Sequence, residues 1–220
     1  MKTIPFTIVD VFAESKYAGN QLAVFRDAEG LSGDEMQAIA RETHFSETTF
    51  ILGDAPRAGG WDVRIFTPGE EVPFAGHPTL GTAHVIRDEI LMGKAQNVTL
   101  NLKAGKIPVA LEAGGIGWMR QNEPAFGPTH PAAVLAAVLR LSPESIDRRF
   151  PVEEVSTGLG FFIVPLRDLD SLKKAMIDRE RYFSLVRATP NKGILAFCPQ
   201  GREAGDDLSV RVFVDWFGVP

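Results

Sequence analysis

The sequence predicts an α+β chain folded as two pseudo-symmetric lobes, each an antiparallel sheet packed on helices. The order of elements is one observation behind this, because paired strands come before the first helix and after the second, where a βαβ repeat would alternate. An internal echo is another. Val63-Arg64-Ile65-Phe66 returns as Val210-Arg211-Val212-Phe213, and Val72-Pro73 returns as Val219-Pro220, both 147 residues later (63 to 210, 72 to 219). Val-Arg-aliphatic-Phe is ordinary strand composition, so chance is the competing explanation for one match; two at a common spacing favour a repeat. Length is the third observation, since 220 residues can supply two cores of about 100 residues each. The run from Asn122 to Pro131, with its prolines and Gly127, reads as the linker, which puts the lobes at residues 1–123 and 124–220.

Each element has a local reason. Met1 to Phe6 is already strand-like, and Phe6–Val11, rich in β-branched and aromatic residues, reads as a buried strand. A turn at Gly19-Asn20 leads to a second strand over Leu22–Phe25. Ser32 followed three residues later by Glu35 is a capping box, and Met36, Ile39 and Ala40 then share a helical face. Strands are predicted over Thr48–Leu52 and Trp61–Phe66, then a helix over Pro78–Met92 stopped by Gly93. Val98, Leu100 and Leu102 alternate, as do Val109 and Leu111 beyond the Ala104-Gly105 turn, which gives a hairpin with one wet face. In the second half a helix is predicted over Ala132–Leu139, a hairpin over Val155–Pro165 around Gly158 and Gly160, and one or two helices over Leu169–Val186. Strands over Ile194–Cys198 and Leu208–Val214 follow.

Composition removes several classes of function. There are 23 basic and 28 acidic residues, a net charge of −5 without long runs of one sign, so neither nucleic acid nor an anionic membrane is indicated. No apolar run reaches the ~20 residues of a membrane span, and the N-terminus lacks the pattern of a signal peptide. Cys198 is the single cysteine, which excludes an internal disulfide and a cysteine-built zinc site and suits a reducing, cytoplasmic setting. The four histidines, scattered at 44, 77, 84 and 130, have no metal-ligand spacing, so no metal is expected. His44 reads as a helix C-cap, His84 as structural, His130 as a cap before Pro131, and Cys198 as a core residue.

Two places can carry chemistry. Pro73-Phe74-Ala75-Gly76-His77-Pro78-Thr79 joins a strand to a helix. With Pro78 at the first helical position, the amides of Thr79, Leu80 and Gly81 are expected to be unpaired and to favour an anion. Gly76 would admit a ligand close to the backbone, and His77 adds an imidazole. The alternative is a well-capped turn with an exposed histidine. Glu47, in Ser46-Glu47-Thr48-Thr49-Phe50, stands where a helix ends and an apolar strand begins. Desolvation there would raise its pKa and make it a usable general acid or base; the alternative is a strand-edge glutamate facing water. Gly19-Asn20-Gln21 is either a ligand-facing turn or only a turn.

These segments, in this order, resemble the PhzF-like family of phenazine biosynthesis proteins. The resemblance is carried by Asp10-Val11-Phe12, Gly19-Asn20, Leu22-Ala23-Val24, Ile39-Ala40-Arg41-Glu42, Ser46 to Phe50, Arg64 to Pro68 and Pro73 to Ala83. It resumes less sharply at Val155-Ser156-Thr157-Gly158 and Arg211-Val212-Phe213. It implies a diaminopimelate-epimerase-like fold with the active site between the lobes, and a homodimer. It also implies an isomerase that shifts a proton on a small carboxylic acid such as dihydro-hydroxyanthranilic acid, without cofactor. In that frame Glu47 is the catalytic acid/base, His77 the second catalytic group, and Gly76, Pro78, Thr79 and Asn20 bind substrate. A two-base epimerase is a further alternative, but the position 146 or 147 residues beyond Glu47 holds Gly193 or Ile194, and neither takes a proton. The family's second motif, Glu-Asp-Pro-Ala-Thr-Gly-Ser-Ala, is absent after Trp216-Phe217-Gly218-Val219-Pro220, so the second lobe is expected to be incomplete with an uncovered sheet. A non-catalytic binding protein or an inactive fragment that keeps the fold is therefore the other functional reading.

Overall fold

The computed structural model describes residues 3–219. They form two compact units, one running to Asn122 and one from Glu123 to Gly218. Met1, Lys2 and Pro220, at the ends of the expected strand-like start and of the Val-Pro echo, lie outside the described residues.

The first unit contains β1 (Phe6–Val11), β2 (Asn20–Phe25), α1 (Gly33–Thr43), β3 (Glu47–Ile51), β4 (Trp61–Phe66), β5 (Glu71–Val72), α2 (Gly76–Val85), β6 (Asn97–Leu102), β7 (Gly105–Leu111) and β8 (Gly117–Met119). The strands form one sheet in the order β1-β2-β3-β4-β6-β7-β8, with β5 paired to β4. It is mixed, not purely antiparallel as expected: β3 runs parallel to β2, and β6 parallel to β4. The reason is connectivity, because α1 carries the chain back across the sheet between β2 and β3, and a crossover of this kind makes parallel neighbours. The capping box that starts α1 is present on both sides, Ser32 Oγ accepting from the Glu35 amide and Glu35 accepting from the Ser32 amide. His44 ends the helix in the left-handed region, its amide donating to the Ala40 carbonyl at 3.1 Å.

Both faces of this sheet are covered. Met36 and Ala40 of α1 pack on Phe50 and Phe66, while Phe25 stacks on Phe50 with ring centroids 5.2 Å apart. On the opposite face α2 packs against β1, β2, β3, β6, β7 and β8. Gly81 permits the close approach, since a Cβ there would lie 2.7 Å from Leu22 Cδ2 and 2.8 Å from Val11 Cγ2. β1, expected to be buried, is a half-exposed edge strand with Phe6 and Ile8 each more than half open to solvent. The β6–β7 hairpin alternates buried and open positions as predicted.

The second unit contains β9 (Ala125–Thr129), α3 (Ala132–Val138), β10 (Glu153–Ser156), β11 (Gly160–Pro165), α4 (Leu169–Lys174), α5 (Arg179–Arg187), β12 (Gly193–Cys198) and β13 (Ser209–Phe213). Its sheet runs β13-β12-β11-β10-β9, with β12 parallel to β11. β9 lies inside the expected linker. Gly127 and Pro128 hide it in the sequence, and an edge strand tolerates both. Residues of α3, α4 and α5 bury one sheet face through Leu135, Leu172, Tyr182 and Val186 against Phe162, Val164, Ile194 and Ala196. The other face leaves Phe126, Val210 and Val212 exposed.

The echo seen in the sequence is a repeat of register. Thr48↔Phe66, Thr49↔Ile65, Phe50↔Arg64 and Ile51↔Val63 pair β3 with β4. Ile194↔Phe213, Leu195↔Val212, Ala196↔Arg211 and Phe197↔Val210 pair β12 with β13 in the same order. The order of hairpin, helix, parallel strand and antiparallel strand occurs in both units. The repeated arginines have diverged. Arg64 holds Glu71 with two hydrogen bonds of 2.8 and 2.9 Å, whereas Arg211 caps the end of α4 by donating to the carbonyls of Leu172, Lys173 and Ala175.

Candidate active site

Parallel pairing of β2 and β3 brings their first residues to the same end of the sheet, with Leu22 opposite Glu47 in register. The start of α2, which packs across these strands, arrives at that end. Asn20, Glu47 and His77 therefore meet although they are far apart in sequence. His77 Nε2 lies 3.5 Å from Glu47 Oε2, and His77 Nδ1 lies 3.1 Å from Asn20 Nδ2. Ser46, one residue before β3, donates from Oγ to Asn20 Oδ1 at 3.2 Å.

The pair is largely dry. The His77 side chain is 8% exposed and that of Glu47 19%. The two atoms that face each other, His77 Nε2 and Glu47 Oε2, are both buried, and neither makes a hydrogen bond. At 3.5 Å they are beyond good hydrogen-bond length, so each retains a polar valence that a third group can fill. Burial raises the Glu47 pKa above the usual carboxylate range, and the Ser46 hydroxyl offsets part of that rise. Burial pushes His77 down to about 4, with the Gln21 backbone carbonyl working in the opposite direction. The environment thus disfavours charge on both groups.

The turn departs from expectation in its first residue. α2 starts at Gly76, not Pro78, so Pro78 is the third helical residue. A proline is accommodated anywhere in the first turn, where amides lack intrahelical acceptors, so its presence does not fix the helix start. The Thr79 amide donates to the Ala75 carbonyl at 3.3 Å, and the ladder continues from there. The amides of Thr79, Leu80 and Gly81 are therefore not free donors; those of Gly76 and His77 are the ones ahead of the ladder. Thr79 is fully buried, and its hydroxyl also donates to Ala75 O at 2.7 Å, which turns this predicted ligand contact inward. Gly76 has room on its outer side, since a Cβ there would meet only Met119 Cε, at 3.5 Å. Packing does not explain a glycine at this place.

The remaining candidates fall elsewhere. His84 is half-buried within α2 with its pKa lowered by burial. His130 is not a cap: Pro131 occupies that position, and the His130 ring pairs with buried Glu154 at 2.7 Å. Cys198 is free and buried in the second unit's core. Ser46, which the sequence presents only as part of a motif, joins the site through the hydrogen bond of its hydroxyl to Asn20. Among the described residues there is no cluster of metal-ligating side chains, and no helix is long and apolar enough to cross a membrane.

Comparison with known proteins adds independent findings. A model of the PhzC-PhzF family, described as phenazine biosynthesis-like protein, matches residues 9–220. A trans-2,3-dihydro-3-hydroxyanthranilate isomerase of Pseudomonas aeruginosa is 37% identical over 219 residues, covering 97% of this chain and 73% of that enzyme. An uncharacterized isomerase of Pasteurella multocida is 32% identical over 185 residues, and the match takes in 83% of this chain but 62% of the relative's length. The crystal structure of a PhzF-family phenazine biosynthesis protein of Bacillus anthracis superposes with a TM-score of 0.84 at 30% identity, over 99% of this chain and 74% of that one. A probable proline racemase of Agrobacterium radiobacter shares the fold at 12% identity and a TM-score of 0.56, covering 96% of this chain and 69% of the racemase.

Proposed function

The chain belongs to the phenazine biosynthesis-like (PhzC-PhzF) family, and from that premise we propose that it is an isomerase in which Glu47 moves a proton on a small carboxylic acid. The observation that carries the reading is the pair of buried, unpartnered atoms, Glu47 Oε2 and His77 Nε2, 3.5 Å apart. A substrate atom that hydrogen-bonds both would satisfy two orphaned groups at once. Glu47, with its pKa raised by burial, is suited to take a proton from carbon near neutral pH and to return it at another carbon. His77 stays neutral down to about pH 4, which suits it to polarise the substrate and leaves the proton transfer to Glu47.

The substrate we propose is one like trans-2,3-dihydro-3-hydroxyanthranilate, turned over by protein groups alone in a cytoplasmic homodimer. The named Pseudomonas relative supports that substrate. The substrate carboxylate would be received at the start of α2, where the Gly76 and His77 amides precede the helical ladder and Gly76 leaves space beside the backbone. Two-base epimerisation is less well supported. The repeat aligns Glu47, the first residue of β3, with Gly193, the first residue of β12, and glycine carries no proton.

The test is exchange in D2O with trans-2,3-dihydro-3-hydroxyanthranilate and a panel of unsaturated carboxylic acids. Solvent deuterium is expected to enter the substrate with the unaltered chain, and Glu47→Gln is expected to abolish incorporation while binding persists. Undiminished incorporation by Glu47→Gln would overturn the assignment. Binding without exchange by the unaltered chain would favour a non-catalytic binding protein.

A further inference from the structure

We propose that Asn20, at the head of β2, is a positioning residue that selects the Nε2–H tautomer of His77, fixing the imidazole as a neutral hydrogen-bond donor toward the reacting group. The inference rests on reading Glu47 and His77 as the site, and it reassigns Asn20 from substrate contact to orientation of the histidine. A neutral imidazole carries one proton, and the partner at one nitrogen decides which nitrogen holds it. At Nδ1 the Asn20 amide nitrogen lies within hydrogen-bond distance, at 3.1 Å. An amide NH2 only donates, so a hydrogen bond from Asn20 requires Nδ1 to present its lone pair. With the amide in this orientation, Ser46 Oγ donates to Asn20 Oδ1 at 3.2 Å.

The other end of the ring agrees when Glu47 is in the ionised form from which the proposed reaction starts. Nε2 faces Glu47 Oε2 at 3.5 Å, and an oxygen of an ionised carboxylate accepts but does not donate. A proton on Nε2 makes that approach attractive, whereas a lone pair there would face another lone pair. The ring meets the Asn20 amide and the Gln21 carbonyl from β2 and the Glu47 carboxyl from β3. The Gln21 carbonyl is the competitor, because it favours a proton on the ring. Acquiring a second proton would cost His77 its hydrogen bond from Asn20, which agrees with an imidazole that resists protonation. For the chemistry, Nε2–H can stabilise charge that develops on the substrate, but it cannot act as a second base.

The tautomer is measurable on the intact chain without turnover, by long-range proton–nitrogen NMR of the 15N-histidine-labelled protein, with His77 assigned by His77→Gln. The unaltered chain is expected to show His77 protonated at Nε2 alone near neutral pH. Asn20→Asp places a carboxylate at Nδ1, and it is expected to move the proton to Nδ1 and to raise the pKa of His77. In the deuterium-exchange assay the same variant is expected to lose kcat by ten-fold or more with little change in KM. If Asn20→Asp does not fold, Asn20→Ala serves instead and should shift the proton toward Nδ1 and the Gln21 carbonyl. An Nδ1–H form in the unaltered chain, or Nε2–H retained in the folded variant, overturns the inference. An Nε2–H tautomer in a chain that exchanges no deuterium would sustain it and remove the isomerase reading.

Discussion

Acid should destabilise this protein through His77, by an amount that the structure sets. The folded-state pKa is about 4 against 6.5 for an unperturbed histidine, and the side chain is 8% exposed, so solvent screening removes little of the effect. The unfolded chain binds a proton as pH falls below 6.5, and the folded chain does not until about 4. His77 therefore leaves stability unchanged above that window and lowers it progressively within it, by about 3 kcal/mol in total. Glu47 acts with the opposite sign. Its raised pKa means that the folded state bears a charged, desolvated carboxylate at high pH, and this penalty fades as pH drops toward 4.5. The two trends partly cancel in the unaltered chain, so the informative quantity is a difference. Urea unfolding from about pH 8 to pH 4, followed for the unaltered chain and for His77→Gln, subtracts the titrations of distant groups, and the same pair in a Glu47→Gln background removes the neighbouring carboxylate, 3.5 Å away. The unaltered chain is expected to lose about 3 kcal/mol relative to His77→Gln across the window. A difference that stays flat within about 0.5 kcal/mol, or an NMR titration of His77 near 6.5, would refute the claim that its environment is dry.

Two further perturbations separate packing from function. Gly81→Ala puts a methyl 2.7 Å from Leu22 Cδ2 and 2.8 Å from Val11 Cγ2, so it should cost about 1–3 kcal/mol in the same urea assay; an unchanged midpoint would mean that α2 can lift from β1 and β2 freely. Gly76→Ala meets only Met119 Cε at 3.5 Å and should leave stability within about 0.5 kcal/mol while reducing deuterium exchange; loss of stability without loss of exchange would show that the glycine serves the fold and not a ligand.

Local chemistry was the part of this fold most legible in the sequence. Ser32 and Glu35 announce a helix start because a capping box acts within four residues, and the pattern of Trp61 to Phe66 marks a strand whose bounds the structure reproduces. What failed was local chemistry with more than one solution. Pro78 fits every position of a first turn, so it could not tell a helix beginning at Gly76 from one beginning at Pro78. Gly127 and Pro128 read as linker because their tolerance on an edge strand depends on a neighbour, β10, that the sequence does not display. The site divides along the same line. Glu47 and His77 stand out by their places at element boundaries, but the Asn20 contact to Nδ1 follows from α2 packing across β2, and the nearness of Glu47 from parallel pairing of β2 and β3, neither of which the hydrophobic pattern determines.

The register repeat bears on the chemistry as well as on the fold. Both units present a strand that runs parallel to one neighbour and antiparallel to the next, with matching pairs along the hairpin. A repeat of this kind offers the same position twice, once in each unit. Here the first copy is a desolvated glutamate and the second is Gly193, into whose place a Cβ could not enter, because Phe161 ring atoms lie 2.3 Å from where it would sit. The second position is thus closed to any side chain unless Phe161 moves. Gly193→Glu would have to displace that ring, so it is expected to perturb the pairing of β11 with β12, not to create a second base. The asymmetry between the two copies lies in packing as much as in residue type.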